Sequence, residues 1–521
     1  MWHILFLLLS LTSVQCSPPV SVYFAPYSNV SDLSTDLSMC QNIVREANAT
    51  GSKDYSIRMA VYNLLWDDYT DCLLDAHQVG VHVQILMDGS QLAPNRTWNT
   101  DWRYLVKHGF RLVPSQLNAS HSDLEYAQIV GITMPARGLM HLKTRLYQTP
   151  KWTKLVTGSF NPESAAFINN ETMIVTENRD MIECYTGKYY SVLYSTSHDR
   201  KGCTQAWPSA DASSSSYLDV FFTPVGKKDD DAGYIILQRL GALRKGDVAL
   251  LSVYSLHNFG KWDSFLSALE RAHKAGALLY GVTELEQVNL TSSFYSSCLE
   301  YMTLYTAVNP AGSFNAMHSK NAVFLTGTGT AFVATDTANW SVDVWASRYY
   351  PSVNDESSIL MSCDLAKDEY CSDLSLRFVS NALALLRFYE YQQNATLHLD
   401  TYASMVESIA ELDVLPQPTF TFTIVNCTSC TAPQVTSPTV YGFPIDLVAT
   451  ETAGTFVSKP TTLPSFLYGQ AASIVIVDGA NNTLSPNIEI VNDLAFPQEF
   501  VSSDITEAKM YFSWDAAAEQ E

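Results

Sequence analysis

The 521-residue sequence predicts an α/β fold in which one domain occurs twice and is followed by a β-rich C-terminal region. Short apolar runs that indicate strands alternate with amphipathic helical segments, a pattern typical of mostly parallel sheets flanked by helices. The same series starts again in the second half of the chain, at a spacing of roughly 180–200 residues, far beyond a solenoid period. We therefore predict two mixed, mostly parallel sheets related by a pseudo-twofold axis.

The first copy begins with a short strand at residues 22–26, which ends at a proline. An amphipathic helix at 37–49 precedes a buried strand at 56–65, and a second helix at 69–79 stops at a glycine. A third strand at 81–87 is followed by Asp-Gly, a common turn signal. This alternation of strands and helices is the observation on which the α/β prediction depends.

Segments of the second copy match the first copy in sequence and in order. The matching pairs are 220–224 with 22–26, 252–256 with 60–64, and 272–276 with 76–80. A helix at 374–392 closes the second copy, as a helix at 181–194 closes the first. His77 and His273 take equivalent positions before a helix-ending glycine, and we predict that both lie on helix surfaces.

Composition divides the chain into five parts. Ser, Ala and Pro are frequent in residues 205–216, which indicates a linker between the copies. From residue 400 onward Thr, Val, Pro and Ser predominate, and alternating runs at 419–425 and 473–477 predict strands of unknown role. The predicted parts are a signal peptide at 1–16, the first copy at 17–204, the linker at 205–216, the second copy at 217–399 and the β-rich region at 400–521.

The first 16 residues indicate a secretory signal peptide. Their apolar centre, residues 4–11, is too short to span a bilayer, and no later apolar run reaches about 18 residues. The polar C-terminus resembles neither a lipid-anchor tail nor a retention signal. We therefore expect a glycoprotein that is secreted or resides in the lumen of the endosomal and lysosomal system, with no transmembrane segment.

Sequons and cysteines agree with an oxidising compartment. Ten Asn-x-Ser/Thr sequons occur, of which Asn170 and Asn339 lie inside the motifs described below and are expected to be unmodified. One of the ten cysteines, Cys16, lies in the signal peptide, so an odd number remains. From their clustering we predict the disulfides Cys40–Cys72, Cys184–Cys203, Cys363–Cys371 and Cys427–Cys430, with Cys298 free. A redox or metal-binding role for the last pair is the alternative.

The polar residues of the first copy form a recurring series. His141 and Lys143 lie two positions apart in a strand-like run, so both side chains point to the same face. Ser159 and Asn161 follow in a Gly-Ser-x-Asn segment, and Glu171 ends an Asn-Asn-Glu segment. A histidine beside a fixed positive charge suits a nucleophile or a general acid.

The second copy repeats this series with His318 and Lys320, then Thr337 and Asn339, then Glu356. The spacing from lysine to hydroxyl residue is 16 positions in the first copy and 17 in the second. A duplicated half-site implies that neither half works alone. Two lysines and two asparagines around one point could hold the oxygens of a phosphodiester and stabilise its transition state.

The order His-x-Lys, Gly-Ser-x-Asn, Asn-x-Glu resembles the phospholipase D superfamily. The first copy is similar to its small nuclease-type members, and the Ala-Asn-Trp-Ser segment of the second is similar to its secreted and lysosomal eukaryotic branch. The resemblance covers residues 21–387 and implies two phospholipase D-like halves that share one pocket. It implies a reaction that needs no metal and no cofactor, in agreement with the absence of a ligand cluster near the motifs.

The resemblance also implies a two-step mechanism. One histidine attacks phosphorus to give a phosphohistidine while the other protonates the leaving alcohol, and the second then activates water or another alcohol. A glutamate holds an imidazole in the right tautomer. The sequence leaves the nucleophile open and favours His141, whose half is closer to the plain motif. The predicted catalytic residues are His141, Lys143, His318, Lys320, Glu171 and Glu356, and the predicted phosphate-binding residues are Ser159, Asn161, Thr337 and Asn339.

Three features depart from the superfamily pattern. Gln148 and Leu325 stand where the motif usually has an aspartate, which we take to be a supporting residue. Asp336 replaces the glycine of the second copy and is expected to bring a negative charge close to the phosphate site. The segment from Asn339 to Glu356 is also longer than its counterpart in the first copy. These departures leave the imidazole, ammonium and amide groups in place.

Three functions are compatible with these motifs. The first is a phosphodiesterase that hydrolyses or transfers phospholipid head groups, with peripheral membrane contact. The second is a secreted or lysosomal nuclease on single-stranded nucleic acid, and the third is an inactive binding protein. A net charge of −22 disfavours a long nucleic-acid track, whereas a lipid needs only an apolar rim. The nuclease-like first motif and the weaker repulsion at lysosomal pH support the second function. We favour the lipid enzyme.

Overall fold

Residues 20–393 contain most of the fold that a computed structural model of the chain describes. Within them, the residues outside the description are 26–27, 29, 52, 94–99, 119–126, 135–137, 168, 195–202, 207–215, 225–227, 308–316 and 349–350. Beyond residue 393, only short strands between 419 and 513 are described. The predicted signal peptide, the predicted disulfide Cys427–Cys430 and residues 207–215 of the predicted linker therefore lie outside the described residues.

The first half forms an eight-stranded sheet in the order β1-β8-β7-β6-β2-β3-β5-β4. Its strands are β1 Val20–Ala25, β2 Ser56–Val61, β3 His82–Asp88, β4 Arg111–Val113, β5 Ala127–Ile132, β6 Lys143–Gln148, β7 Thr153–Gly158 and β8 Glu171–Thr176. Its helices are α1 Val30–Leu33, α2 Thr35–Thr50, α3 Asp67–Gln78, α4 Asp101–Lys107 and α5 Arg179–Leu193. The predicted helices at 37–49 and 69–79 correspond to α2 and α3.

The second half forms an eight-stranded sheet in the order β13-β12-β11-β14-β15-β16-β10-β9. The strands are β9 Cys203–Ala206, β10 Tyr217–Phe222, β11 Val248–Val253, β12 Leu278–Glu284, β13 Thr303–Ala307, β14 Lys320–Thr326, β15 Thr330–Asp336 and β16 Ser357–Asp364. The helices are α6 Ala232–Gly241, α7 Phe265–Lys274, α8 Ser293–Tyr301, α9 Val342–Trp345 and α10 Glu369–Gln393. Seven strands follow the same spatial order as in the first sheet, so the predicted duplication is confirmed.

Both sheets are mixed, as predicted, but they are not mostly parallel. Only β2, β3, β5 and β4 pair in parallel in the first sheet, and only β11, β12 and β13 in the second. The other pairings are antiparallel, and short loops join two of these pairs, β6 with β7 and β14 with β15. A parallel pair needs a crossover of a dozen or more residues, which these loops do not provide.

Apolar side chains divide the described core into a central layer and two outer layers. The central layer joins both sheets with α5 and α10, as the packing of Tyr185 and Phe378 with Leu146 and Val323 illustrates. One outer layer packs α2, α3 and α4 on the first sheet, and the other packs α6, α7 and α8 on the second. Both sheets are therefore covered on two faces, and the long apolar pattern of α10 is explained by its place between them.

The disulfides predicted within the described residues are confirmed. Cys40–Cys72 joins α2 to α3, Cys184–Cys203 joins α5 to β9, and Cys363–Cys371 joins β16 to α10, with Cα–Cα distances of 6.2, 6.2 and 5.7 Å. Cys298 is buried and free, as predicted. Of the two helix-end histidines, His273 is exposed, whereas His77 is half-buried against the ring of Phe110.

Two sequence-based boundaries are wrong. The predicted linker at 205–216 begins inside β9, because Gln205 and Ala206 pair with β10 at the edge of the second sheet. The single strand predicted at 473–477 is divided between two short strands, Ala471–Ser473 and Ile476–Val477. In both places strand pairing, which composition does not report, decides where an element ends.

The C-terminal region is β-rich where it is described. Its strands are β17 Thr419–Ile424, β18 Thr439–Val440, β19 Phe443–Pro444, β20 Leu447–Ala449, β21 Thr455–Ser458, β22 Ala471–Ser473, β23 Ile476–Val477, β24 Thr483–Leu484, β25 Asn487–Glu489, β26 Gln498–Phe500 and β27 Ala508–Ser513. Five of them form one sheet in the order β20-β21-β17-β27-β26, and the others pair two by two.

Candidate active site

The two His-x-Lys segments lie at the boundary between the halves. The backbone N–H of His141 donates to the carbonyl oxygen of Asp355 at 2.9 Å, and that of His318 donates to the carbonyl oxygen of Asn170 at 2.9 Å. Each His-x-Lys segment therefore pairs with the Asn-x-Glu segment of the other half. These hydrogen bonds bring both predicted half-sites together at one place.

The side chains cross between the halves in the same way. His141 Nδ1 lies 2.8 Å from Glu356 Oε2, and His318 Nδ1 lies 2.7 Å from Glu171 Oε1. Both glutamate side chains are completely buried. Because Nδ1 of each ring is engaged by a carboxylate, the rotation of the ring is fixed, and Nε2 is the ring nitrogen that remains for the reaction.

Lys143 begins β6 and Lys320 begins β14, and both ammonium groups are buried beside the histidines. Lys143 Nζ lies 3.1 Å from Nε2 of His141, and Lys320 Nζ donates to the carbonyl oxygen of His318. Burial lowers the pKa of Lys143 to about 8 and that of Lys320 to about 7, although both nearby glutamates oppose the shift. Two cations so close together are suited to bind the non-bridging oxygens of a phosphodiester.

Burial and neighbouring charges shift the pKa values of both histidines and of Glu171. Burial lowers the pKa of His141, which Glu356 opposes, and burial together with Lys320 lowers the pKa of His318 well below its usual value. Burial raises the pKa of Glu171 to about 8, against the influence of Lys320. The pair of His318 and Glu171 therefore keeps an additional proton in neutral solution, which is shared between the two groups and belongs to the pair.

Ser159 and Thr337 are completely buried. Their hydroxyl groups form hydrogen bonds with backbone N–H groups at the start of β8 and β16, next to Glu171 and Glu356. Ser159 Oγ accepts from the N–H of Thr172 at 2.8 Å, and Thr337 Oγ1 accepts from the N–H of Ser357 at 2.8 Å. Ser159 also bonds to Glu171 and lowers the pKa of that carboxyl. In this arrangement the hydroxyl groups hold β8 and β16 in place beneath the site. Phosphate binding by these two residues stays a prediction.

Asn161 and Asn339 follow the two hydroxyl residues. Asn161 Nδ2 donates to Glu163 Oε1 at 3.1 Å. The Oδ1 atoms of both asparagines are buried and find no hydrogen-bond partner among the described residues. A buried amide oxygen that accepts no hydrogen bond from the protein is unusual unless a ligand or a water donates one to it. Their predicted role in phosphate binding is untested.

A family model described as "Cardiolipin synthase, PLD-like domain" matches residues 47–191. This range includes the first His-x-Lys segment and Glu171, whose carboxylate contacts His318 of the second segment. Residues 47–191 are thus similar to the phospholipase D-like domain family. No curated protein matches the sequence.

Solved structures with a similar fold include three bacterial proteins. Polyphosphate kinase from Porphyromonas gingivalis is 16% identical with a TM-score of 0.39, and the match covers 66% of this chain but only 47% of the kinase. Nuc from Salmonella typhimurium, a phospholipase D family member, is 22% identical with a TM-score of 0.24, over 34% of this chain and 94% of Nuc. Phosphatidylserine synthase from Haemophilus influenzae is 10% identical with a TM-score of 0.45, over 75% of this chain and 93% of the synthase.

Asp336 takes the place of the glycine in the superfamily motif. Both Gly158 and Asp336 have a positive φ, of 126° and 110°, and this conformation is strained for an aspartate. The Asp336 carboxylate is buried and accepts hydrogen bonds from Thr157 Oγ1 at 2.8 Å and from the hydroxyl of Tyr185. It raises the pKa of Lys143 less than either nearby glutamate does. Its hydrogen bonds are directed to the first half, and the expectation that Asp336 brings a negative charge close to the phosphate site stays a prediction.

The positions of the missing motif aspartates play no part in the site. Gln148 is exposed at the end of β6, where its side chain accepts from Arg58 at 3.0 Å and from Ser56 at 3.4 Å. Leu325 is buried in the hydrophobic layer between the sheets. Neither residue contacts a predicted catalytic group in the described part of the chain.

A buried ion pair supports the first half instead. Asp36 on α2 accepts from Arg145 Nη2 at 2.6 Å and from the hydroxyl of Tyr147 at 2.7 Å. Arg145 Nη1 in turn donates to the carbonyl oxygens of Lys143 and Phe160, at 2.7 and 2.8 Å. This network joins the strand that carries Lys143 to the Gly-Ser-Phe-Asn loop. An arginine inside a buried strand is the sequence signal that was missed.

Two tyrosines that the sequence reading missed flank the histidines. The ring of Tyr62, after β2, lies 5.0 Å from that of His141, and the ring of Tyr254, after β11, lies 4.6 Å from that of His318, both edge to face. Both tyrosines are half-buried. The sequence does contain a signal for them, because Tyr62 and Tyr254 take the same place in the matching segments 60–64 and 252–256.

Two carboxylates at strand ends position the histidine segments and were also missed. Asp88, at the end of β3, accepts from the N–H of Met140 at 2.8 Å, and Glu284, at the end of β12, accepts from the N–H of Met317 at 2.8 Å. Each therefore fixes the residue that precedes a catalytic histidine.

In the described part of the chain, every helix is too short or too polar to span a bilayer. No three His, Cys, Asp or Glu side chains converge there as a metal-ligand set.

We expect kcat/KM to fall as pH rises through about 7 to 8. Lys320, with a pKa of about 7, loses its charge in this range, and the His318–Glu171 pair, with a Glu171 pKa of about 8, loses its additional proton. On the acid side, activity should persist below the usual histidine pKa, because the pKa of His141 is lowered. The measurement is kcat/KM between pH 4.5 and pH 9, and a rate that still increases at pH 9 would contradict this assignment.

Proposed function

We propose that this protein hydrolyses the head groups of phospholipids, or transfers them to another alcohol, through a phosphohistidine. The crossed pairs of His141 with Glu356 and His318 with Glu171 carry the proposal. They supply two imidazoles at one point, one to attack phosphorus and one to relay a proton, which a two-step displacement requires. An inactive binding protein would have no need to keep both pairs and both buried lysines.

In the first step, Nε2 of His141 attacks phosphorus, and the bond from phosphorus to the leaving alcohol oxygen breaks. The proton shared by His318 and Glu171 passes to that oxygen through Nε2 of His318. Lys143 and Lys320 stabilise the charge on the non-bridging oxygens. In the second step, His318 removes a proton from water, whose oxygen attacks phosphorus and breaks the phosphorus–nitrogen bond. The raised pKa of Glu171 keeps a proton beside His318, which supports His318 as the acid and His141 as the nucleophile that the sequence favours.

A nuclease acting on single-stranded nucleic acid is the second candidate function. Tyr62 and Tyr254 support it, because half-exposed aromatic rings beside a phosphate site can stack on bases. The net charge of −22 opposes it, since a polynucleotide brings many phosphates to an acidic surface. A lipid presents a single phosphodiester, and we therefore place the lipid first.

The test compares both substrates with the same purified protein. We expect hydrolysis of phosphatidylcholine or phosphatidylethanolamine vesicles at mildly acidic pH, and slower hydrolysis of a 5′-labelled oligonucleotide. EDTA should leave the rate unchanged, because the two histidines and two lysines supply the chemistry. Faster cleavage of the oligonucleotide would favour the nuclease, and a rate lost in EDTA and restored by zinc or magnesium would contradict the mechanism.

We also propose that the protein is secreted or resides in the endosomal and lysosomal lumen. The signal-like N-terminus, the sequons and the disulfides support this location. We expect the protein from animal cells to lose mass on treatment with an N-glycosidase and to change mobility on reduction. An unglycosylated and fully reduced protein in the cytosol would contradict the proposal.

A further inference from the structure

A carboxylate that the mechanism does not use lies beside the phosphate site. Glu163 follows Asn161 by two positions and is half-buried. Its Oε1 accepts from Nδ2 of Asn161 at 3.1 Å, and its Oε2 accepts from Nδ2 of Asn63 at 3.1 Å. Asn63 follows Tyr62, whose ring contacts His141. Two amides on two different loops therefore hold Glu163 at the edge of the catalytic pocket.

Among the described residues, none of the ion pairs involves Glu163, although its charge reaches the site. It raises the pKa of Lys143 and of Lys320, less than Glu171 does. A fixed negative charge next to an anion-binding pocket opposes anionic substrates unless the substrate supplies a positive charge. The second half has Ser341 at the position that matches Glu163.

We propose that Glu163 binds an ammonium group on the alcohol portion of the substrate, and that the enzyme therefore prefers zwitterionic phosphodiesters. This inference rests on the proposed function and names the class of head group. The phosphate of such a substrate lies between Lys143 and Lys320, and its ammonium group faces Glu163. A polynucleotide or an anionic head group brings no positive charge to that position, and a neighbouring phosphate would be repelled.

Glu163→Gln separates this role from a purely structural one. Glutamine keeps an oxygen that can accept from Asn161 or Asn63, but it removes the charge. If Glu163 only oriented Asn161, the variant would bind all diesters alike, whatever their head group. If it binds ammonium, the variant should lose affinity for zwitterionic diesters and keep or gain affinity for anionic ones.

The experiment measures binding in the full chain carrying His141→Asn, which prevents turnover. Titration calorimetry with glycerophosphoethanolamine and glycerophosphoglycerol gives the ratio of the two dissociation constants, with and without Glu163→Gln. We expect the zwitterionic diester to bind more tightly, and Glu163→Gln to reduce that preference by about tenfold, as loss of a charge-assisted hydrogen bond implies. Glu183→Gln is the matched control, because it removes an equal charge from an exposed surface pair with Arg179.

The binding ratio decides the inference independently of the reaction. An equal affinity for both diesters, binding of neither, or a preference unchanged by Glu163→Gln would overturn it, even if the wild-type enzyme hydrolyses phospholipids. Conversely, a wild-type protein that binds the zwitterionic diester through Glu163 but hydrolyses no phosphodiester would overturn the proposed function alone.

Discussion

Replacing either His141 or His318 with asparagine is expected to reduce turnover by about a thousandfold or more. The two side chains act in the same two-step reaction, one as nucleophile and the other as acid and base. For this reason the double variant should be no less active than the single variants. The measurement is kcat on a phospholipid and on a p-nitrophenyl phosphodiester. His273→Asn, on the exposed surface of α7, is the matched control and should keep full activity.

The same variants identify the nucleophile. Because p-nitrophenol leaves without help from an acid, His318→Asn should still form a phosphohistidine, which mass spectrometry would detect as a stable adduct on His141. His141→Asn should form none. An adduct on His318 would reverse the two roles. Two variants that each keep about half of the wild-type rate would indicate two independent sites and contradict the shared pocket.

Asp36→Ala is expected to lower the free energy of unfolding of the first half by about 3–5 kcal/mol. The guanidinium of Arg145 is completely buried, and Asp36 is its only carboxylate partner among the described residues. Removal of the carboxylate leaves this cation without compensation in the core. The measurement is urea denaturation followed by tryptophan fluorescence.

Glu183→Ala provides the comparison for this prediction. Its carboxylate pairs with Arg179 on the surface of α5, where both side chains are more than half exposed. Such pairs contribute about 0.3–0.5 kcal/mol. Equal shifts in the denaturation midpoint for Asp36→Ala and Glu183→Ala would mean that the buried pair does not hold the first half together.

The predicted groups of the candidate site follow from local patterns and from the resemblance that these patterns carry. The recurrence of His-x-Lys indicates a second half-site, but the prediction that both histidines lie in strands is wrong, because β6 begins at Lys143 and β14 at Lys320. The supporting groups were not found, because each acts across a long distance in the sequence. Asp36 meets Arg145 only after α2 packs on the first sheet, and Tyr62 reaches His141 only when β2 and β6 pair.

The sequence by itself determined the duplicated α/β fold, the recurrence of the His-x-Lys segments and the disulfides near in sequence. These properties follow from periodicity and short separation, which the order of residues records directly. Only the tertiary structure decided that Glu171 serves His318 and Glu356 serves His141. Hydrophobic patterns specify which face of an element is buried, but not which distant segment covers it. The packing of the two halves makes that choice, and with it completes the site.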